Sequence, residues 1–172
     1  VTNVYDGQHK LLTGANPHSM IAMLEGLGVD AIGINCSLGP EQMLPIVKEY
    51  SSHSSLPIIV NPNAGLPRVE NSKTVFDISA DDFAKVMQDI ALAGAGILGG
   101  CCGTTPEYIK KLIEYTRDIP YHTPTDKKET VISSYTHAVI FDRVPVLIGE
   151  RINPTGKPRF KEALRNRDID YI

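Results

Sequence analysis

The feature that most limits what this chain can fold into is a regular alternation. Short continuous apolar runs are each followed by a loop and then by a segment with helical spacing. The runs are DAIGIN (30–35), LPIIVN (56–61) and GAGILGG (94–100). None shows polar alternation, which is what a strand buried on both faces looks like. Asn16-Pro17 opens a helix over HSMIAMLEGL that should stop near Gly26 or Gly28. Pro40-Glu41 opens EQMLPIVKEY, where Met43, Leu44 and Val47 share a face, and Pro45 still falls within the first turns. Ser79 caps ADDFAKVMQDIALAG, with Phe83, Val86, Ile90 and Ala93 on one side. Thr105-Pro106-Glu107 opens EYIKKLIEYTRD. Strands alternating with helices call for a parallel α/β sheet with right-handed crossovers. Open doubly wound sheets and (β/α)8 barrels both satisfy this pattern.

Composition excludes several function classes. The 172 residues carry a net charge of −3 and no long basic run, which argues against nucleic acid as a partner. No apolar stretch approaches the roughly 20 residues that span a bilayer, so no membrane is expected. The start, VTNVYDGQHK, lacks the layout of a secretory signal. The expected compartment is the cytoplasm, where cysteines serve as metal ligands or catalysts more often than as disulfides.

After Asp118 the character changes. IPYHTPTDKKET combines prolines with charge and reads as a linker, which we extend over 119–143. Apolar segments restart at HAVIFD and PVLIGE, lead to Arg151-Ile152-Asn153-Pro154-Thr155-Gly156, and end in a basic helix, PRFKEALRNR. The reading is a first domain over 1–118 and the truncated start of a second over 144–172.

The chain has three cysteines: Cys36, Cys101 and Cys102. In a parallel α/β fold, chemistry sits at the C-terminal ends of the strands. Cys36 ends the first run, Asn61 and Asn63 end the second, and Cys101 and Cys102 end the third, so all lie on one rim. Three thiolates on a rim suit zinc and leave one tetrahedral position open, the pattern of a catalytic site. Gly99, Gly100 and Gly103 permit the sharp turn that two adjacent cysteines need to reach one ion. Two other readings stay open: cysteines that merely pack in the core, and a vicinal redox pair.

NCSLGPE, VNPNAG and GGCCGTTPEYI, in this order, resemble the second half of a homocysteine S-methyltransferase domain, over about residues 1–118. The resemblance implies a partial (β/α)8 TIM barrel made of its last strand–helix units, with zinc held by Cys36, Cys101 and Cys102. LIGERINPTG resembles the first strand and loop of the pterin-binding barrel of methyltetrahydrofolate methyltransferases, so a first βα segment of a second barrel follows. This order of domains is that of the cobalamin-dependent methionine synthase family. It implies homocysteine as substrate, methylcobalamin and 5-methyltetrahydrofolate as donors, and methionine as product. The N-terminal half of the first barrel, with the residues that hold the homocysteine amino group, and the cobalamin modules fall outside this sequence. The expectation is a fragment of a longer chain, inactive alone.

Further roles follow from position. Asn63 is expected as a displaceable zinc ligand, although Asn-Ala-Gly is also ordinary turn chemistry. Thr104 and Thr105 are candidate donors to the sulfurs, with helix capping as the alternative for Thr105. Glu150 and Asn153 are candidate pterin contacts, and an internal Glu150–Arg151 ion pair is the alternative for the first. His53 and His122 read as solvated surface residues, and Lys157 to Arg167 as a wet helix face.

Overall fold

The computed structural model describes residues 2–142, 145–150 and 152–172. It divides into two units, Val1–Asp142 and Arg143–Ile172. The first unit is built on a four-stranded parallel sheet in the order β1 (Thr2–Asn3), β2 (Ile32–Asn35), β3 (Ile58–Asn61), β6 (Ala95–Leu98). The intervening helices are α1 (Pro17–Gly26), α2 (Pro40–His53) and α3 (Ala80–Leu92), and α4 (Pro106–Thr116) follows β6. Two hairpins complete the unit: β4 (Arg68–Glu70) with β5 (Lys73–Val75), and β7 (Val131–Ser133) with β8 (Ala138–Ile140).

The strand order runs in one direction without reversing. A doubly wound sheet reverses at a switch point. An unreversed order with right-handed crossovers keeps every helix on one face, as in barrel-type winding. The packing agrees: α1 lies against α2, α2 against α3 and α3 against α4, while α2 and α3 cover β2, β3 and β6.

Local chemistry sets the helix starts. The Asn16 side chain accepts from the Ser19 N–H at 2.8 Å, and Ser79 Oγ accepts from the Asp82 N–H at 3.1 Å. Pro occupies the first position of α1, α2 and α4, where no N–H is missed. Pro45, the sixth residue of α2, does not stop the helix.

The core joins Ile32, Ile34, Ile58 and Val60 of the sheet to Met43, Ile46, Val47 and Tyr50 of α2 and to Phe83, Met87 and Ile90 of α3. Val86 and Leu44, expected on the inner faces, are half-buried. Tyr5 and Tyr50 share a fully buried hydroxyl–hydroxyl hydrogen bond of 2.7 Å. The uninterrupted apolarity of LPIIVN does not mean burial on both sides here. Ile58 and Val60 are buried, Ile59 is half-buried, and Ile97 of β6 is 48 % exposed on its accessible face.

The segment 119–130 has no regular structure, but HAVIFD forms β8 and pairs with β7, and α1 packs against this hairpin. In the second unit, residues 145–150 have no regular structure, in contrast to the strand expected from PVLIGE. Among the described residues of that unit no strand pairs with them, and a lone strand has no ladder to satisfy its backbone. Helix α5 (Pro158–Asn166) matches the expected basic helix and ends at Arg167 in the left-handed conformation.

Gly33 shows how tightly β2 and β3 approach. A Cβ at this position would lie 2.0 Å from the Ile59 carbonyl oxygen, a backbone atom that cannot step aside. Gly33→Ala is therefore expected to cost about 1–3 kcal/mol or more in urea unfolding. Gly26→Ala, where nothing lies within 4 Å, should be neutral or stabilising by up to about 1 kcal/mol.

Candidate metal centre

Register brings the cysteines together. Asn35 pairs with Asn61 and Val60 with Leu98, so β2, β3 and β6 end level with one another. Cys36 is the first residue beyond β2, and Cys101 and Cys102 follow β6 after Gly99 and Gly100. The loop beyond β3 lies between them and bonds to both sides. Cys36 N–H donates to Asn61 O at 3.0 Å, and Cys101 N–H to Pro62 O at 2.7 Å. Cys102 N–H donates to Asn63 Oδ1 at 3.1 Å, and Ala64 N–H to Cys102 O at 2.9 Å.

The backbone at the site is unusual. Cys36 and Ser37 have φ values of 62° and 68°, both left-handed, a conformation that costs a non-glycine residue about 1–3 kcal/mol. Strain of this kind collects where geometry serves a function. Gly103 makes the matching turn on the other side at φ 81°, where a Cβ would sit 2.4 Å from the Phe76 ring. No other residue fits that position.

The three sulfurs form a triangle. Cys36 Sγ lies 3.7 Å from Cys102 Sγ, Cys101 Sγ lies 3.9 Å from Cys102 Sγ, and all three fall within 4.8 Å of one another. Zinc–sulfur bonds of about 2.3 Å in a tetrahedron place sulfurs about 3.8 Å apart. A disulfide would need about 2.05 Å, and all three cysteines are free. The triangle therefore has the dimensions of a tetrahedral face closed by thiolates. Asn35 Nδ2 donates to Cys101 Sγ at 3.9 Å.

Electrostatics separates the thiols. Burial raises Cys36, but the Ser37 N–H and hydrogen bonds from Cys101, Cys102 and Asn63 outweigh it, and the thiol falls below its ordinary value. Cys102 is pushed up to about 11, chiefly by its hydrogen bonds to Cys36 and Cys101 and by the negative charge they would carry. Three adjacent sulfurs do not all ionise together without a cation, and Cys36 gives up its proton more readily than Cys102.

Asn63 lies beside the sulfurs and is 3 % exposed. Its oxygen accepts from Cys102 N–H and its side chain bonds to Cys36, so it ties the two cysteine loops together. Its Oδ1 has two lone pairs, and the Cys102 amide engages one of them. Thr104 Oγ1 donates to the Cys101 carbonyl at 2.7 Å rather than to a sulfur. Thr105 occupies the N-cap of α4 but makes no side-chain capping bond. Sequence reasoning overlooked Asn35 and the Ser37 N–H; the signal for the first was the Gly33-Ile34-Asn35-Cys36 stretch itself. In the second unit Asn153 Nδ2 donates to Glu150 Oε1, and this bond is the leading cause that holds the Glu150 carboxyl below its usual range. Arg151 lies outside the described residues. His53 is half-buried rather than freely solvated: it stacks on His18 and faces Glu129. His122 is exposed.

Comparison with known proteins gives the geometry a family context. The family model described as homocysteine S-methyltransferase matches residues 1–116. The methionine synthase of Mycobacterium tuberculosis is 34 % identical over 161 residues, which is 92 % of this chain and 14 % of that protein. The methionine synthase of Mycobacterium leprae is 34 % identical over 166 residues, again 92 % of this chain and 14 % of that protein. This chain thus spans about one seventh of these relatives. Among solved structures, the metallated form of the homocysteine methyltransferase MmuM from Escherichia coli superposes with a TM-score of 0.51 at 28 % identity, covering 66 % of this chain and 33 % of that one. Its apo form gives 0.50 at 28 % identity, over 66 % and 37 %.

The thiol ordering has a measurable consequence. In metal-free protein near neutral pH, iodoacetamide should modify Cys36 before Cys102, although Cys102 is the more exposed of the two. Peptide mass spectrometry over a time course reads the order, and faster labelling of Cys102 would contradict the hydrogen-bond pattern.

Proposed function

From membership of the homocysteine S-methyltransferase family, to which this chain belongs, we propose that it carries the zinc-binding rim of a homocysteine-binding barrel. Residues 1–118 are the C-terminal strand–helix units of that (β/α)8 barrel, 119–143 the connection, and 144–172 the start of a pterin-binding domain. The reaction is methyl transfer to the thiol of homocysteine, giving methionine. Methylcobalamin, recharged from 5-methyltetrahydrofolate, is the implied donor, and its sites lie on further modules of the longer protein. This chain alone is then expected to bind metal without turning over. The 34 % identity to methionine synthases across 92 % of the chain, at only 14 % of their length, supports that reading.

The observation that carries it is the sulfur triangle, whose 3.7 and 3.9 Å edges fit a tetrahedral zinc face. Cys36, Cys101 and Cys102 would hold the ion, a soft donor set suited to zinc. When bound, zinc supplies a Lewis acid that lowers the pKa of a substrate thiol from about 8.5 and yields a nucleophilic sulfur at neutral pH. The protein's own groups do the rest. Asn63 and the backbone of 61–64 fix the spacing of the three sulfurs. The Ser37 N–H and the Asn35 amide donate to Cys36 and Cys101, which orients their lone pairs and tempers their charge. Cys36, Cys101 and Cys102 would supply three of the four ligands zinc prefers, which would leave one position for a substrate thiol.

The chain should bind about one equivalent of zinc, and Cys102→Ser should abolish it. Asn63→Ala should weaken binding by about 10–100-fold while the fold persists by circular dichroism. Affinity should rise with pH across the neutral range, because Cys102 must release a proton held up to about pH 11. X-ray absorption at the zinc edge should gain one sulfur neighbour on addition of homocysteine. An unchanged edge spectrum would leave a structural zinc module in place of a catalytic one.

A further inference from the structure

A second cluster of ligand-type side chains lies away from the cysteines. His18, in the first turn of α1, and His53, the last residue of α2, stack with ring centroids 3.9 Å apart and planes at 17°. Glu129, in the irregular segment before β7, faces both rings. Its Oε2 lies 3.5 Å from His18 Nε2 and its Oε1 3.4 Å from His53 Nδ1. One nitrogen from each ring and one carboxylate oxygen fall within 4.8 Å of one another. The three side chains are 14 %, 27 % and 27 % exposed, so the group is recessed rather than solvated.

His18 Nε2 is fully buried and faces Glu129 Oε2 at 3.5 Å, too long for a well-formed hydrogen bond. A buried ring nitrogen with only so long a contact is poorly satisfied. It borders a cavity of about 90 Å³ that is also lined by Glu25 and Asp126. Lys127 and Lys128 line the same cavity, so its charge is mixed rather than purely acidic.

We propose that His18, His53 and Glu129 form a second cation site, specific for a divalent transition metal. Two imidazoles and one carboxylate suit zinc, cobalt or nickel and do not suit calcium or magnesium, which take all-oxygen shells. Two rings stacked at this angle cannot both aim an in-plane lone pair at one ion. Binding therefore turns one imidazole about its Cβ–Cγ bond, and His53, the more exposed ring, is the one with room. The ion joins three segments distant in sequence: the start of α1, the end of α2 and the stretch leading into the β7–β8 hairpin. That stretch is otherwise held to the helices near this point by the Lys127 N–H donating to Ser55 Oγ at 3.0 Å. The site is a staple for the connection that follows α4, and it does not depend on the methyl-transfer reading.

The test uses the 172-residue chain with Cys36→Ser, Cys101→Ser and Cys102→Ser combined, titrated with Co²⁺ alone. About one equivalent should bind with visible d–d bands and no thiolate charge-transfer band. Glu129→Gln and His53→Gln, added singly, should weaken binding by at least about tenfold, and should remove a Co²⁺-dependent rise in Tm. Should the triple variant fail to fold, the wild-type chain titrated to two equivalents serves instead. Its second equivalent should lack the thiolate band and disappear in His53→Gln. No uptake beyond the thiolate site, or uptake indifferent to both substitutions, overturns the proposal.

Discussion

The candidate centre depends on four hydrogen bonds made by the last residue of β3 and the loop that follows it. Residues 61–64 grip Cys36 from one side and Cys101 and Cys102 from the other. Without that clamp, two glycine-flanked cysteines and one strained cysteine would hang from separate strand ends with nothing to fix their spacing. A three-ligand site needs its sulfurs held to within a few tenths of an ångström, and side-chain packing alone does not do this on an exposed rim. Backbone amides do, because their positions are set by strand register: Asn35 opposite Asn61, Val60 opposite Leu98. The sheet is thus the ruler, and the loop beyond its third strand transfers the measurement to sulfur.

The strain at Cys36 and Ser37 belongs to the same logic. Two consecutive non-glycine residues with φ above 60° cost several kcal/mol in isolation. The turn points the Cys36 Nα–H at Asn61 O and the Ser37 N–H at the Cys36 sulfur. The same left-handed turn thus supplies one backbone bond and one donor to the thiol. A relaxed extended backbone at this point would continue β2 past the level at which β3 ends and carry the sulfur away from its partners.

Much of this was legible in the sequence, and the reason is periodicity. Continuous apolar runs marked β2, β3 and β6, and caps such as Asn16 and Ser79 marked helix starts. Strand ends were therefore known to within a residue or two, which is enough to put Cys36, Asn63, Cys101 and Cys102 on one rim. What stayed hidden had no local signature. β1 is two residues long, and the β4–β5 hairpin holds only three residues per strand within a stretch rich in polar groups. Asn63 was expected as a displaceable ligand or as turn chemistry; its bond to the Cys102 amide stayed hidden because it crosses 39 residues. His53 read as solvated because its partners, His18 and Glu129, are 35 and 76 residues away along the chain.

The two clusters of ligand-type groups in the first unit are separated by the length of α2. That helix begins at Pro40, four residues after Cys36, and ends at His53. Fourteen residues at about 1.5 Å each make roughly 21 Å. This exceeds the Debye length of about 8 Å at physiological salt, so charge at one end is largely screened from the other where solvent intervenes. Perturbations at sites more than about 7–10 Å apart, with no shared partners, add independently. The interior between them is the packed face of α2, with Met43, Ile46, Val47 and Tyr50 fully buried against the sheet. It carries no titratable side chain except Tyr50, whose hydroxyl is bound to Tyr5. Among the described residues the two ligand groups share no side chain, so occupancy at either end should be set by its own ligands, and the helix between them should act as a spacer.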